Sequence, residues 1–160
     1  MPYLWLGGDS WERQAGDDDN RALVSLDWTP SLQVNEAPGN SDKTITVPAD
    51  TEWRVRWIWL EFTTAGGGGN RQLEIQIQDD AADVIAEIKV GIVQAGGATR
   101  FYMLSPHLAD LAAFRDTDWL MTPMPEWILP EGYIIHIWDN TGVGTDDLII
   151  QMMVLARTVT

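Results

Sequence analysis

Residues 51–64 read TEWRVRWIWLEFTT. Apolar side chains recur at every second position, which is the period of a strand rather than of a helix. On that period Trp53, Val55, Trp57 and Trp59 share one face. Ile58, Leu60 and Phe62 share the other, and Arg54 and Arg56 interrupt that second face only at its start. A strand that is apolar on both sides belongs in the middle of a packed structure.

The same period runs outward from this stretch. RQLEIQIQDD (71–80) alternates without error, with Leu73, Ile75 and Ile77 inward and Gln72, Glu74, Gln76 and Gln78 outward. ADVIAEIKVGIVQA (82–95) fits a strand through Val84, Ala86, Ile88, Val90 and Ile92, and a helix through Val84, Ile88 and Ile92. Its β-branched residues and Gly91 favour the strand. TRFYML (99–104), GYIIHIWDN (132–140) and DDLIIQMMVLARTV (146–159) are further strands, the last two joined by the turn NTGVGT. KTITVP (43–48) is a short strand stopped by Pro48. Upstream, Ala22, Val24, Leu26 and Trp28 alternate. HLADLAAFRD (107–116) reads as a short helix behind Pro106. MTPMPEWILPEG (121–132) holds three prolines and reads as an extended loop rather than a packed element. Eight or nine strands with at most one short helix make an all-β domain, a sandwich or a barrel. A jelly-roll-like antiparallel β-sandwich is the first expectation. An immunoglobulin-like topology is the second, disfavoured by the lack of its Cys pair and by the long central strand.

The chain has 160 residues, a one-domain length. Residues 1–20 stand apart, and residues 21–160 read as the single sandwich domain. MPYLWLGGDSW is aromatic and apolar, and AGDDDN (15–20) is acidic and turn-like. Tyr3, Leu4, Trp5 and Leu6 each gain about 1.5–3 kcal/mol on full burial, so an extended arm docked on a domain is expected over a free one. The opening has no basic region and its apolar run stops at Gly7, so it does not read as a secretory leader. No apolar run approaches the ~20 residues of a membrane helix.

The formal net charge is −14, the chain holds 9 Trp and only 10 Lys plus Arg, and Cys is absent. Such a charge repels phosphate backbones and anionic bilayers, so neither a nucleic acid nor a membrane is expected as partner. Without Cys there is neither a disulfide framework nor a thiolate metal site.

Catalytic and ligand motifs fail one by one. TTAGGGGN (63–70) lacks the GK[ST] of a phosphate loop, and a strand follows it instead of the helix that a dinucleotide or phosphate site needs. Its expected role is a long hairpin loop, with glycines free to take positive φ. GGDSW (7–11) resembles the nucleophile segment of some esterases. Neither His107 nor His136 has an Asp three residues before it, however, and the α/β alternation is missing. The two histidines have no metal-ligand spacing. Asp17–Asp19, Asp79–Asp80 and Asp146–Asp147 lack the calcium-loop pattern and suit ordinary turns. Paired carboxylates for glycosidic cleavage are defined by spatial separation, and nothing in the sequence favours them. No cofactor, no metal and no enzymatic activity are therefore expected. Trp53, Trp57 and Trp59 fit either a sugar-stacking platform or a core or subunit interface, and their place on a mid-chain strand apolar on both faces favours the second.

Residues 43–157 resemble small virion structural proteins of tailed bacteriophages. The likeness runs through TVPA ahead of the long strand, TTAG…NRQLEI around the glycine loop, VQAG after the following strand, and LPEGYIIHIWD with its Asp-containing turn. The resemblance implies a β-sandwich protein of the virion, assembled in the host cytoplasm. It implies a capsid decoration or cement subunit contacting major capsid protein, other virion proteins and copies of itself, a homotrimer first. It brings no catalytic residues. The alternative is a carbohydrate-binding module of a phage neck, tail or fibre. The candidate partner-binding residues are Tyr3, Leu4, Trp5, Leu6 and Trp11 on the arm, and Trp53, Trp57 and Trp59 on the strand.

Overall fold

The computed structural model describes residues 28–67, 69–106, 108, 118–141 and 144–159. The expected arm over 1–20, the alternation from Ala22 to Leu26 and, Leu108 apart, the short helix at 107–116 lie outside them.

Ten strands form two sheets. They are β1 (Thr29–Asn35), β2 (Lys43–Thr46), β3 (Thr51–Thr63), β4 (Leu73–Gln78), β5 (Val84–Lys89), β6 (Thr99–Ser105), β7 (Trp119–Pro123), β8 (Ile128–Leu129), β9 (Ile134–Asp139) and β10 (Asp147–Thr158). The six-stranded sheet runs β1-β10-β3-β6-β7, with β8 pairing on β3, and the four-stranded sheet runs β2-β9-β4-β5. The first strand lies beside the last, and the second beside the second-last. The chain crosses between the sheets after β1, β2, β3, β5, β8 and β9, while the connection from β6 to β7 stays within the six-stranded sheet. This is the double-sheet jelly roll, as expected from the strand pattern. All pairings are antiparallel except β6 with β7.

The core lies between the sheets. Val55, Ile58, Leu60, Phe62, Tyr102, Leu104, Leu148, Ile150, Met152 and Val154 from one side meet Leu73, Ile75, Ile77, Ile135 and Ile137 from the other, all essentially without solvent contact. Each such side chain contributes up to about 1.5–3 kcal/mol by the area it removes from water.

Four local features differ from the sequence reading or were left out of it. First, the alternation along β3 is not continuous. Val154 pairs with Val55 and Met153 with Trp57, so Arg56 is the extra residue of a β-bulge. A bulge offsets the two-residue period by one. Trp53 and Val55 therefore point into the core, and beyond the bulge Ile58, Leu60 and Phe62 do so instead. Trp57 and Trp59 face outward. Second, 121–132 is packed structure: Met121–Pro123 complete β7, Ile128–Leu129 form β8, and Met124, Trp127 and Leu129 are buried. The prolines sit at strand ends or between strands, where no ladder donor is missed. Third, residues 29–35 form β1 although TPSLQVN is polar and carries Pro30; an edge strand tolerates both.

Fourth, the glycine run is not a hairpin tip. β3 and β4 belong to different sheets, so residues 64–72 form an arch across the end of the sandwich. Gly66, Gly67 and Gly69 do not use positive φ. The arch instead wraps a buried arginine. The Arg71 guanidinium donates from Nε to Asp146 Oδ2 (2.7 Å) and from Nη2 to Asp146 Oδ1 (3.2 Å), Gly67 O (3.0 Å) and Ala65 O (3.2 Å). Its Nη1 donates to Gly69 O. Both members of the ion pair have 0% side-chain exposure. Asp146 Oδ1 also accepts the Ala65 N–H (2.7 Å). The Arg71 backbone pairs reciprocally with Gln94. The Gln94 amide donates to Phe62 O and Ala98 O and accepts from the Tyr102 hydroxyl (2.9 Å). Burial raises the Tyr102 pKa, which keeps the phenol a donor.

Two stability predictions follow from this geometry. Asp146→Asn removes the counter-charge of a buried guanidinium and is expected to cost about 3–5 kcal/mol in urea unfolding. A loss below about 1 kcal/mol, the level of an exposed pair, would show that the contact contributes no more than a surface salt bridge. Trp53→Ala is expected to cost about 3–5 kcal/mol, and Trp57→Ala about 1 kcal/mol, because the bulge places them on opposite faces. Equal losses would contradict that placement.

Candidate partner interface on the six-stranded sheet

The outer faces of the two sheets differ in chemistry. On the four-stranded sheet the outward residues are mostly polar and bonded across strands. Gln76 donates to Glu87 (2.9 Å), Lys89 to Glu74 (3.0 Å), and His136 lies between Asp42 (2.6 Å) and Gln78 (3.3 Å). Cross-strand pairs of this kind satisfy a sheet face that meets water.

The outer face of the six-stranded sheet is apolar across its width. The registers place Leu32, Met153 and Trp57 in one row across β1, β10 and β3. The next row runs Val34, Gln151, Trp59, Met103 and Met121 through β7. A third runs Ile149, Glu61, Phe101 and Trp119. Leu32, Val34 and Trp119 are 50%, 49% and 47% exposed, so the face is open at both edges. Gln151 and Glu61 interrupt these rows, and further charges sit toward one end, where Arg157 donates to Glu52 (2.6 Å) and Arg54 lies 3.4 Å from Glu126. A contiguous apolar surface with a charged rim is the anatomy of a contact site.

Three aromatic rings define how the face can be used. Phe101 stacks on Trp119 (centroids 4.5 Å, interplanar 22°) and on Trp59 (6.0 Å, 23°). Each Trp ring is thus stacked with Phe101 rather than standing alone. A sugar platform needs free ring faces, and these contacts engage all three rings with one another. The arrangement suits broad packing against another apolar surface.

The candidate residues of the strand are thus divided. Trp53 is 2% exposed and belongs to the core. Trp57 and Trp59 lie on the open face, half-buried among their neighbours. Tyr3, Leu4, Trp5, Leu6 and Trp11 lie outside the described residues. Phe101, Trp119, Leu32 and the outward methionines were not among the candidates. The signal for Phe101, Met103 and Met153 was present in TRFYML and DDLIIQMMVLARTV, which are apolar on both faces, as TEWRVRWIWLEFTT is; Leu32, Trp119 and Met121 lie outside these stretches. Three such strands side by side require cover on both sides of their sheet.

Ser10, Asp17–Asp19 and His107 lie outside the described residues; among the described ones, four of the side chains that suggested ligand chemistry have structural partners. Asp146 serves Arg71, Asp147 accepts the Gly39 N–H (3.0 Å), and Asp79 Oδ1 accepts the N–H groups of Ala81 and Asp83 in a turn. His136 is tied to Asp42.

No family model matches the chain, and no curated protein does. Among solved structures, a chain in the structure of PfGH50B is 14% identical with a TM-score of 0.29, over 85% of this chain and 23% of that one. Chains in the structures of infectious bursal disease virus, strains Gx and Gt, are 11% and 14% identical with TM-scores of 0.29 and 0.28. They match over 82% and 99% of this chain and 32% and 38% of theirs. This chain thus spans less than two fifths of each of these three solved chains.

The ring geometry yields a ligand prediction. Titration with neutral oligosaccharides is expected to leave Trp fluorescence unchanged. A saturable quench that disappears in Trp119→Ala would instead put a sugar on this face.

Proposed function

We propose that the chain is a non-enzymatic structural protein of a tailed-bacteriophage virion, a decoration or cement subunit that stabilises the head. The observation that carries this reading is the open apolar face of the six-stranded sheet, set opposite a polar face on the other sheet. A jelly roll with one such face is built to lie against something. The resemblance of residues 43–157 to small virion proteins supports major capsid protein, or another protein of the particle, as that surface. Copies of the chain around a symmetry axis, a trimer first, supply the self-contacts that such a subunit needs. The net charge of −14 suits contact with protein rather than with packaged nucleic acid. The stacked rings weigh against the carbohydrate-binding alternative, since their faces are engaged with one another.

The test is attachment to heads that lack the protein. Purified chain should bind them and raise the temperature at which they rupture. Leu32→Ser with Trp119→Ser changes two half-exposed residues and should leave the circular dichroism spectrum intact. Attachment is expected to weaken at least about tenfold, the equivalent of about 1.4 kcal/mol. Wild-type chain that binds no head, or a double variant that binds as tightly as wild type, would remove the proposal.

A further inference from the structure

The two sheets end in four outer strands, β1 and β7 in one and β2 and β5 in the other. An outer strand presents unpaired backbone donors and acceptors, and folded proteins blunt such edges with proline or with a charge turned inward. Three of the four strands follow that rule. β1 carries Pro30, and β7 ends in Pro123. β2 turns Lys43 into the protein, where its ammonium donates to Ala37 O (2.6 Å). β5 has neither device, and its bulge falls at Ile85, ahead of residues 86–89.

Hydrogen bonding defines which groups of β5 are free. Val90 donates its N–H to Leu73 O (3.0 Å), so its backbone is directed at β4, as are those of Ile88 and Ala86 by the two-residue period. The backbone groups of Glu87 and Lys89 are directed away, and no described strand pairs with them. A second β5 laid antiparallel along this side has to match Glu87 and Lys89 with residues of the same set. Centring the pair on Glu87 or on Lys89 sets like charges face to face. Centring it on Ile88 places Glu87 of each copy opposite Lys89 of the other. Lys89 already lies 3.0 Å from Glu74 and 3.4 Å from Glu87 of its own chain, and its half-exposed side chain has room for a further carboxylate. The same register brings Val84 and Ile85 of one copy toward Ile92 and Val93 of the other. These four are half of the exposed large apolar side chains among the described residues.

We propose that β5 pairs with β5 of a second copy of this chain across a two-fold axis at Ile88, joining two four-stranded sheets edge to edge. Backbone bonds between Glu87 and Lys89 supply the ladder, and their opposite charges fix the register. The apolar residues at both ends of the strand remove one another from water. The pair leaves the outer face of the six-stranded sheet free. It joins copies independently of any three-fold contact, and it does not rest on the virion assignment.

The chain contains no Cys, so Ile88→Cys in the full chain gives one thiol per copy. Opposed residues of a non-hydrogen-bonded antiparallel pair lie about 4.5 Å apart at Cα, within reach of a disulfide. Mild oxidation is expected to link the copies in pairs. Adding Glu87→Lys or Lys89→Glu sets like charges against one another at both places, and linkage is expected to slow on the order of tenfold. A one-to-one mixture of those two variants restores opposite charges between unlike copies and should restore most of the parent rate. Sedimentation of the same charge variants without the thiol guards against a disturbance by Ile88→Cys. Each alone should associate more weakly than wild type, and the mixture should recover. Linkage and sedimentation that ignore the charges, or a mixture no better than its components, would overturn the inference. Neither variant alters Leu32 or Trp119, so attachment to heads is scored separately.

Discussion

The buried pair of Arg71 and Asp146 is the constraint on which the end of the sandwich depends. A jelly roll must carry its chain repeatedly between sheets, and each arch exposes backbone groups that neither sheet can pair. At this end the arch after β3, the start of β4, the loop after β5 and the start of β10 converge. One guanidinium bonds three carbonyls of the arch and a carboxylate from beside β10. Gln94 and Thr64 continue the same role, bonding the carbonyls of Phe62, Ala95 and Ala98. A planar, five-donor group suits this task in a way that lysine does not.

With that end fixed, the two sheets are held at a set offset and their outer faces acquire different tasks. The four-stranded sheet closes its outer face with its own polar pairs. The six-stranded sheet does not, and its methionines, isoleucine and stacked rings remain apolar to the edge strands. That apolar surface lies outside the core between the sheets, and the proposed contact role rests on it.

The fold class was legible because β4 alternates without error and β3 and β10 read as strands apolar on both faces. A jelly-roll-like sandwich was expected from the many short strands with at most one short helix among them. What escaped the sequence was local. β1 escaped because an edge strand needs no apolar pattern on its solvent side and accepts Pro30. The packed run through Met124, Trp127 and Leu129 escaped because its prolines resemble those of a free loop. The glycine arch escaped because hairpins and sheet-to-sheet arches share one composition, and only the distant Asp146 tells them apart. At the candidate interface Trp57 and Trp59 were legible, whereas Trp53 was misplaced beside them because nothing in TEWRVRWIWL marks Arg56 as an extra residue.

That extra residue also separates two kinds of variation within one strand. Upstream of Arg56 the odd-numbered positions belong to the interior; downstream they belong to the exterior. A neutral drift that reshapes the contact surface through Trp57 and Trp59 leaves Trp53 and Val55 untouched, though all four share a parity in the chain. The bulge acts as a phase boundary. It lets one continuous β-strand encode a conserved-volume interior and an adaptable exterior in the same alphabet, so the outward surface can be retuned for a new neighbour without repacking the domain behind it.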